Sequence, residues 1–482
     1  MNLNLNQLIP QKYVLNNGMT FVHLPSTFHN IFRIDFIVRT GMFYEQLHEK
    51  GYAHFLEHLM CFFPSSKYPN SKQNQDDLQS KGIDINAYTD ELYTGYYLQG
   101  TLDHFYNVID LIFWNFIDPV YDNKVIRQEV DAVLIELQNY LRDPWFNLDK
   151  LSDKILFENT MLEVGMDQEL KNMEKFLQND KTKTYIEELR KFRQREYTYD
   201  RTIVFFTLNC SDEIFEQLTN YLSKQYFANT NINKTPKIIT PITNTNTNNT
   251  KNTKTSKLKE HYKIFYTPFN DGKGSKIYFV FPLPFTIEAN QVYILHYLNY
   301  VLLQGMSSLL FRRARQECGL VYNFHSQRHF FPFDTTSYNH YVIETETKDE
   351  NDLSKLIHIV LRTINELKEK YKAILNSTND DFISKKEAEY SYYMKFHNTQ
   401  FEESISFNKL LNYFKKCFLW NTTCKTIKDH IKCHELTFKN KTLIHQTLND
   451  VFNFNLLRIF YSCKNPVLQQ GEYKSVHCKI NF

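Results

Sequence analysis

A polar stretch near the middle of the chain constrains the fold more than any other feature. Residues 229–256 contain the run Asn-Thr-Asn-Thr-Asn-Asn-Thr-Lys-Asn-Thr-Lys-Thr and have almost no apolar side chain after Ile242. A segment without periodicity and with so little apolar content cannot join a folded core. The sequence therefore predicts a linker over residues 229–260, between an N-terminal domain at 1–228 and a C-terminal domain at 261–482.

The two sides of this linker show the same order of elements. Each begins with alternating apolar segments typical of strands, continues through long helical patterns, and closes on another strand. The second side resembles a diverged copy of the first. We expect two homologous α+β domains, each sandwich-like, with a mixed or antiparallel sheet and packed helices. The strands are predicted at 13–24 (a hairpin), 32–40, 83–90, 93–99, 201–208, 263–266, 276–281, 320–331, 337–347 and 456–463.

The composition excludes several classes of protein. With 482 residues, 42% hydrophobic and 23% charged, the chain is long enough for two globular domains. The net charge of +2 is too small to indicate electrostatic binding of nucleic acid or anionic membranes. No run approaches the ~18 apolar residues of a membrane span, and residues 1–10 lack the pattern of a secretory signal or transit peptide. The eight cysteines form no C-x-x-C pair, which favours reduced thiols. We expect a soluble, intracellular, cytoplasmic protein.

A short motif in the N-terminal half carries the chemistry. His54 and His58 are four residues apart, so on a helix they lie about 40° from one another and can reach one metal ion. Glu57 stands between them and can approach a water held by that metal. This is the H-x-x-E-H pattern, the reverse of the zinc-protease motif H-E-x-x-H. The alternative, a chance cluster on a solvated helix face, stays open on these residues alone.

Two acidic residues downstream supply what the motif lacks. A catalytic zinc needs a third protein ligand, and the predicted helix at 123–141 contains Glu129 and Glu136. Seven residues make two helical turns, so both carboxylates share a face within about 20°. One could bind zinc while the other orients a histidine. They could equally be ordinary charges on a solvated helix, which is the commoner case.

Together these residues resemble the inverzincin metallopeptidases of the pitrilysin, insulin-degrading enzyme and mitochondrial processing peptidase family. The surroundings of the motif, Gly51-Tyr-Ala-His54 and Lys67-Tyr-Pro69, are similar too. The resemblance implies one Zn²⁺ per chain, bound by His54, His58 and Glu136. It also implies that Glu57 is the general base and that Glu129 is a supporting acid.

Further stretches resemble the family's substrate-binding elements. Asn86 and Ala87 stand where the family has an edge strand that pairs with the substrate backbone. After the linker, Arg315 and Tyr322 resemble a pair that holds the substrate and polarises the scissile carbonyl. A plain hairpin strand, a surface arginine and a strand tyrosine are the simpler alternatives. The chain departs from the family at Gly41-Met-Phe-Tyr-Glu45, which replaces Gly-Ser-Arg-x-Glu, and in its longer, more polar linker.

The resemblance implies a zinc-dependent endopeptidase that cleaves peptides or extended protein segments inside an enclosed chamber. Family members of this length look like half of a clamshell, so we expect a homodimer, with a heterodimer also possible. Arg315 and Tyr322 would then act in trans. A non-catalytic scaffold or regulatory subunit of a heterodimer is the alternative function, and a peptide-binding chaperone is a third.

Competing motifs are weak. Cys417, Cys424, Cys433 and His434 cluster near the C-terminus, but their spacing matches no zinc-ligand pattern. The segment Asp271–Lys276 lacks the frame of a phosphate-binding loop, and no nucleotide fingerprint is present.

Overall fold

The structure is a computed structural model of the full chain. It describes residues 9–26, 29–62, 64–142, 144–158, 161–178, 182–228, 262–268, 274–283, 287, 289–329, 339–375, 380–403, 411–412, 414–415, 417–418, 429, 432, 436–463 and 476–478. The predicted linker lies outside the described residues, as do Cys424, Cys433 and His434 of the C-terminal cluster.

The chain folds into two compact units. The first comprises Met1–Arg142, Phe157–Thr247 and Leu411–Cys424, and the second comprises Asp143–Leu156, Asn248–Leu410 and Lys425–Phe482. Each unit thus contains one short segment from the other side of the linker. These exchanged segments, 143–156 and 411–424, are the places where the units differ from the predicted domain ranges.

The first unit contains a six-stranded sheet, with strands in the order β1-β2-β6-β3-β5-β4. Strands β2 and β6 are parallel and the other neighbours are antiparallel. Strand β4 therefore lies at an edge of the sheet that the described strands form. The strands are β1 (Gln11–Val14), β2 (Thr20–Pro25), β3 (Ile31–Val38), β4 (Asp84–Thr89), β5 (Thr94–Thr101) and β6 (Thr202–Leu208).

Helices pack on the inner face of this sheet. Alternate residues of β3, from Phe32 to Val38, point into the same core as the apolar sides of the helices. The helices are α1 (Tyr52–Phe62), α2 (Ser71–Ser80), α3 (Phe105–Ile117), α4 (Asn123–Arg142), α6 (Gly165–Lys175), α7 (Thr182–Glu196) and α8 (Asp212–Phe227), while α5 (Pro144–Leu156) belongs to the second unit.

The second unit repeats this topology. Its sheet has the order β12-β7-β11-β8-β10-β9, with β7 and β11 parallel. The C-terminal strand β12 occupies the position that β1 holds in the first sheet, and β9 forms the edge that corresponds to β4. The strands are β7 (Tyr262–Pro268), β8 (Ser275–Pro282), β9 (Val321–His329), β10 (His340–Thr347), β11 (Arg458–Cys463) and β12 (Val476–Cys478).

The helices of the second unit, apart from α5, are again grouped around one core. The helices of this unit are α5, α9 (Ala289–Leu302), a π-helix (Phe311–Glu317), α10 (Leu353–Ile374), α11 (Asp381–Glu403) and α12 (Lys441–Val451). The repeated strand order confirms the prediction of an α+β chain built from two similar halves. No helix within the described ranges is both long and apolar enough to cross a membrane.

The exchanged segments cover the outer faces of the sheets. In the first unit, Phe418 packs edge-on against Phe205 of β6, and its carbonyl accepts a hydrogen bond from Arg39. In the second unit, Leu148 and Leu151 of α5 pack on Tyr278 and neighbouring outward-facing residues. Strand β6 is consequently buried along its whole length, because both of its faces are covered.

Candidate metal centre

Helix α1 separates apolar from polar side chains. Its buried side packs into the core of the first unit through Tyr52, Ala53, Phe55, Leu56 and Leu59. His54, Glu57 and His58 lie on the opposite side and stay partly exposed. The 3.6-residue period therefore places all three polar groups on one surface, where they can share a ligand.

The start of α1 is fixed by a glycine and a buried acid. Gly51 adopts a φ of +94°, a conformation that favours glycine. The Glu45 carboxylate accepts hydrogen bonds from the backbone N–H groups of Gly51 (3.1 Å) and Ala53 (2.8 Å). Burial raises the pKa of Glu45 to about 7, although the nearby charge of Lys50 lowers it. Glu45 thus satisfies amide groups that the helix start would leave without partners.

Three side chains converge across α1 and α4. The Oε2 atom of Glu136 lies 3.7 Å from His54 Nε2 and 3.3 Å from His58 Nε2. Ligands of a tetrahedral zinc, with bonds of about 2.0–2.1 Å, stand about 3.4 Å apart. Glu57 belongs to the same cluster, since one ligand atom from each of His54, Glu57 and His58 lies within 4.8 Å of the others. Two imidazoles and a carboxylate form a donor set that suits a catalytic zinc.

Each histidine has a carboxylate on its other ring nitrogen. Glu169 of α6 lies 2.7 Å from Nδ1 of His54, a hydrogen bond. Glu129 of α4 lies 3.6 Å from Nδ1 of His58, which is an electrostatic contact beyond hydrogen-bond length. A carboxylate at Nδ1 favours the tautomer that leaves the Nε2 lone pair free for a metal.

The charges at the cluster shift the pKa values of its groups. Burial lowers the pKa of His54, but the hydrogen bond with Glu169 and the surrounding carboxylates raise it to about 9. Burial alone would raise the pKa of Glu169, yet the hydrogen bond with His54 holds it below the usual range. Burial raises the pKa of Glu57, and the two histidines only partly offset this. A carboxylate with a raised pKa is a stronger base.

The predicted substrate residues Asn86 and Ala87 lie on the edge strand β4. Ala87 packs against the core shared with α1, while the Asn86 side chain accepts a hydrogen bond from the Ala87 N–H at 2.8 Å. Strand β4 pairs with β5 only on one side among the described strands. Its free edge can therefore pair with another extended chain.

The predicted pair in the second unit is also brought together. Arg315 lies on the π-helix, with its guanidinium 4.4 Å from the centre of the Tyr322 ring. Nη1 of Arg315 donates a hydrogen bond to the Tyr322 carbonyl at 2.7 Å. The Tyr322 side chain on β9 is 73% exposed, so the phenol stays accessible to a ligand.

Comparison with known proteins identifies the family of the chain. Residues 22–166 match the family described as Insulinase (Peptidase family M16), and residues 185–375 match the Peptidase M16 inactive domain. The chain belongs to peptidase family M16.

The chain is 36% identical over 109 residues to insulin-degrading enzyme-like 2 of Arabidopsis thaliana, covering 22% of this chain and 11% of that protein. It is 25% identical over 234 residues to the mitochondrial-processing peptidase subunit beta of Dictyostelium discoideum, covering 48% and 46%. The matched region therefore spans less than half of either relative.

Solved structures show the same fold. A protease from Helicobacter pylori superimposes with a TM-score of 0.70 at 15% identity, covering 94% of this chain and 99% of that one. The periplasmic protease PqqL from Escherichia coli gives 0.66 at 16% identity, covering 95% of this chain and 48% of that one. These comparisons confirm the predicted family and the pitrilysin-type fold.

The M16 motif predicted most of this cluster but missed two carboxylates. Glu169 lies 115 residues from His54 in sequence, too far for any spacing rule. Its one signal is local, since Glu169 stands on the buried side of α6 beside Met173, where an acid is unusual. Glu45 lies in the stretch Gly41–Glu45 that departs from the family pattern, and only the fold shows that it caps the start of α1.

Proposed function

We propose that this chain is a zinc-dependent endopeptidase acting on peptides or extended protein segments. The observation that carries the proposal is the convergence of His54, His58 and Glu136, with Glu57 beside them. A structural role alone does not require two imidazoles and two carboxylates to share one partly exposed surface. Membership of the M16 family and the zinc-protease names of relatives support the same conclusion.

The residues that would hold zinc are His54, His58 and Glu136, one ion per chain. Zinc, when bound, supplies Lewis acidity that lowers the pKa of a water toward about 7. Glu169 accepts a hydrogen bond from Nδ1 of His54, and Glu129 faces Nδ1 of His58. Both carboxylates thereby orient the imidazoles. Every protein ligand and supporting acid in this proposal belongs to the first unit.

Glu57 performs the proton transfers. Its carboxylate is largely buried next to the histidines, and burial keeps its pKa above the usual value. It accepts a proton from the attacking water and delivers it to the departing amine once the peptide bond breaks. The Glu57 side chain lies 3.9 Å from His54 Nε2, close enough to accept a proton from a water at the centre.

Two elements recognise the substrate in this proposal. The free edge of β4, with Asn86 and Ala87, accepts an extended peptide by strand addition. Arg315 and Tyr322 contribute a guanidinium and a phenol that can bind a peptide carbonyl. The resemblance to M16 proteins of similar length supports a homodimer. A relative whose name includes "subunit beta" keeps a heterodimer as the second candidate.

A non-catalytic scaffold is the competing function. The description of residues 185–375 as an inactive domain concerns the second half of the match, whereas all groups of the candidate metal centre lie before residue 170. A scaffold has no need for a base between two metal-binding histidines. The presence of Glu57 therefore favours an enzyme.

The test replaces the base and keeps the ligands. Glu57→Gln is expected to retain about one zinc per chain while peptide cleavage falls about 100- to 10,000-fold. Cleavage of a peptide library, read by mass spectrometry with and without a chelator, measures activity and metal dependence together. Glu216→Gln, which alters an exposed glutamate on α8, is the matched control and should cleave like the wild type. Normal turnover by Glu57→Gln would refute the assignment, as would cleavage that persists after zinc removal.

A further inference from the structure

Strand β4, which accepts the substrate in the proposed function, lies at an edge of the first sheet. All six of its residues, Asp84–Thr89, are exposed or half-buried, whereas every residue of the central strand β6 is buried. Among the described strands, β4 pairs only with β5. An edge strand with so little burial opens easily unless other contacts hold it.

Tyr88 lies on the outer face of this strand. Its neighbour Ala87 packs against the core, and successive side chains of a strand point to opposite faces. Tyr88 pairs with Gly95 of β5, and its ring covers that glycine, since a Cβ atom added to Gly95 would lie 2.4 Å from Cζ of Tyr88. The ring also meets Tyr93 edge-on, with 5.9 Å between the ring centres. The phenol therefore extends from the edge of the sheet across β5.

Lys415 of the exchanged segment 411–424 meets the phenol there. Its Nζ atom lies 3.5 Å from Oη of Tyr88, at the long end of a hydrogen bond, and 5.8 Å from the centre of the ring. The same Nζ donates a hydrogen bond to Asp35 of β3 at 2.5 Å. Lys415 is 5% exposed and Asp35 is 1% exposed. A cation attracts an aromatic ring more strongly where water is excluded.

These contacts form a brace across three strands, from Tyr88 on β4, over β5, to Asp35 on β3. Arg33 fixes the far end, because it donates two hydrogen bonds to Asp35, at 2.8 and 2.9 Å. A lysine that only neutralised Asp35 would duplicate the charge of Arg33. Its position beside the Tyr88 ring indicates a second role, which concerns the edge strand.

We propose that Lys415 is a positioning residue that holds the substrate-binding strand β4 in place through Tyr88. The strand is thereby ordered before an extended chain adds to its edge, so less freedom is lost on binding. This inference rests on the strand addition of the proposed function, but it concerns the binding of the chain and not its cleavage. It makes a residue from the C-terminal side of the linker a determinant of substrate affinity in the first unit.

The first measurement is amide hydrogen exchange of the full chain without substrate, read by mass spectrometry. Tyr88→Leu removes the ring but leaves the ion pair of Lys415 with Asp35, so the fold is kept. We expect the β4 amides to exchange about 10-fold faster, a factor that corresponds to a cation–ring contact where water is excluded. The β6 amides should exchange as in the wild type. Lys415→Met should accelerate β4 by the same factor relative to β6.

Tyr97→Leu is the matched control. Tyr97 is also half-buried, and its ring also faces a cation, the guanidinium of Arg33 at 4.2 Å. It stands on β5, however, which pairs with strands on both sides. Exchange of the β4 amides should therefore stay at the wild-type rate in this variant.

The second measurement is the binding of fluorescein-labelled casein, an unstructured chain, followed by fluorescence anisotropy. All chains carry Glu57→Gln, so that the probe is not cleaved. Tyr88→Leu and Lys415→Met should each bind casein about 10-fold more weakly. The double variant should bind no more weakly than either single variant, because both substitutions remove one contact. Tyr97→Leu should bind casein like the parent chain.

The outcomes separate this inference from the proposed function. Equal acceleration of β4 and β6 would overturn the role of Lys415, because it indicates a loss of stability alone. Unchanged affinity for casein, or additive losses in the double variant, would overturn it as well. If the Glu57→Gln chain binds no casein, strand addition in the proposed function fails, and the exchange of β4 still decides whether Lys415 holds the strand. Should Lys415→Met not fold, the comparison of Tyr88→Leu with Tyr97→Leu decides.

Discussion

Gly51 links the helix start to the carboxylate beneath the metal centre. It has a positive φ, and a Cβ atom at this position would lie 2.4 Å from Cγ of Glu169. The same glycine thus allows α1 to begin and allows Glu169 to reach His54. A side chain here would push apart the two groups that the site must hold together.

We therefore predict that Gly51→Ala destabilises the protein by about 2–4 kcal/mol, because backbone strain and a steric clash add together. The comparison is Gly82→Ala. Gly82 also has a positive φ, but a Cβ atom added there would have no atom within 4 Å, so only the strain of about 1–2 kcal/mol applies. Urea unfolding measures both variants. Equal losses would show that the contact with Glu169 has no energetic weight.

Glu45 makes the stability of the first unit depend on pH. Its pKa is raised from 4.5 to about 7 because the carboxyl is fully buried. A group with a raised folded-state pKa binds its proton more tightly in the folded chain. Its contribution to stability is therefore complete below about pH 4.5 and is lost as the pH rises to about 7.

The loss over this window is on the order of 3 kcal/mol, at about 1.4 kcal/mol for each pKa unit. Glu45→Gln keeps an oxygen for the amides of Gly51 and Ala53 but cannot ionise. The free energy of unfolding of metal-free protein, measured at several pH values, should fall more steeply in the wild type than in this variant. Parallel curves would contradict the prediction.

At the scale of elements, the helix predicted at 123–141 matches α4 at Asn123–Arg142, and the H-x-x-E-H motif lies on a helix as expected, α1 at Tyr52–Phe62. Their relative position was inferable only because two carboxylates seven residues apart match the needs of a metal. No spacing rule predicts the contact of Glu169 with His54, because α6 approaches α1 only through tertiary packing. Local pattern thus predicted the elements, and long-range packing decided which acid meets His54.

The exchanged segment at 411–418 was not predictable from local pattern at all. Lys415 is buried on the outer face of the first sheet, where it forms an ion pair with Asp35 of β3. Arg33 also binds Asp35 through two hydrogen bonds. Burial lowers the pKa of Lys415, while the charge of Asp35 opposes this. The sequence contains 56 Lys and Arg residues, and nothing in the local pattern distinguishes Lys415 as one that forms a buried ion pair.

We predict that Lys415→Met destabilises the protein by about 3 kcal/mol, because Asp35 loses one of its two cations in a buried setting. The double variant with Asp35→Asn should lose less than the sum of the single losses, by about 1–3 kcal/mol. Lys81→Met, which removes an exposed helical ion pair with Asp77, should cost less than about 0.5 kcal/mol. Additive losses in denaturant unfolding would show that Lys415 and Asp35 do not interact.

At the scale of the whole molecule, repetition was the strongest signal in the sequence. Strands, helices and a closing strand on both sides of the linker predicted two similar halves, and the sheet orders repeat as expected. The crossing of α5 and residues 411–418 between units could not be predicted, because both segments have the composition of ordinary helices. The one indication in the sequence was the run Ile-Val-Phe-Phe of β6, which is apolar on both faces and so predicts that the outer face is covered.

This exchange predicts how the chain responds to a cut in the linker. A protease site placed within residues 229–260 divides the chain into two fragments, and each folded unit then contains a segment of the other fragment. We expect the fragments to stay together in size-exclusion chromatography after complete cleavage. Residues 1–228 expressed alone should be insoluble, because the outer faces of β3 and β6 lose the cover that Phe418 and its neighbours provide. Coexpression with residues 261–482 should restore a soluble complex. Fragments that separate under native conditions after cleavage would show that the exchanged segments do not hold the units together.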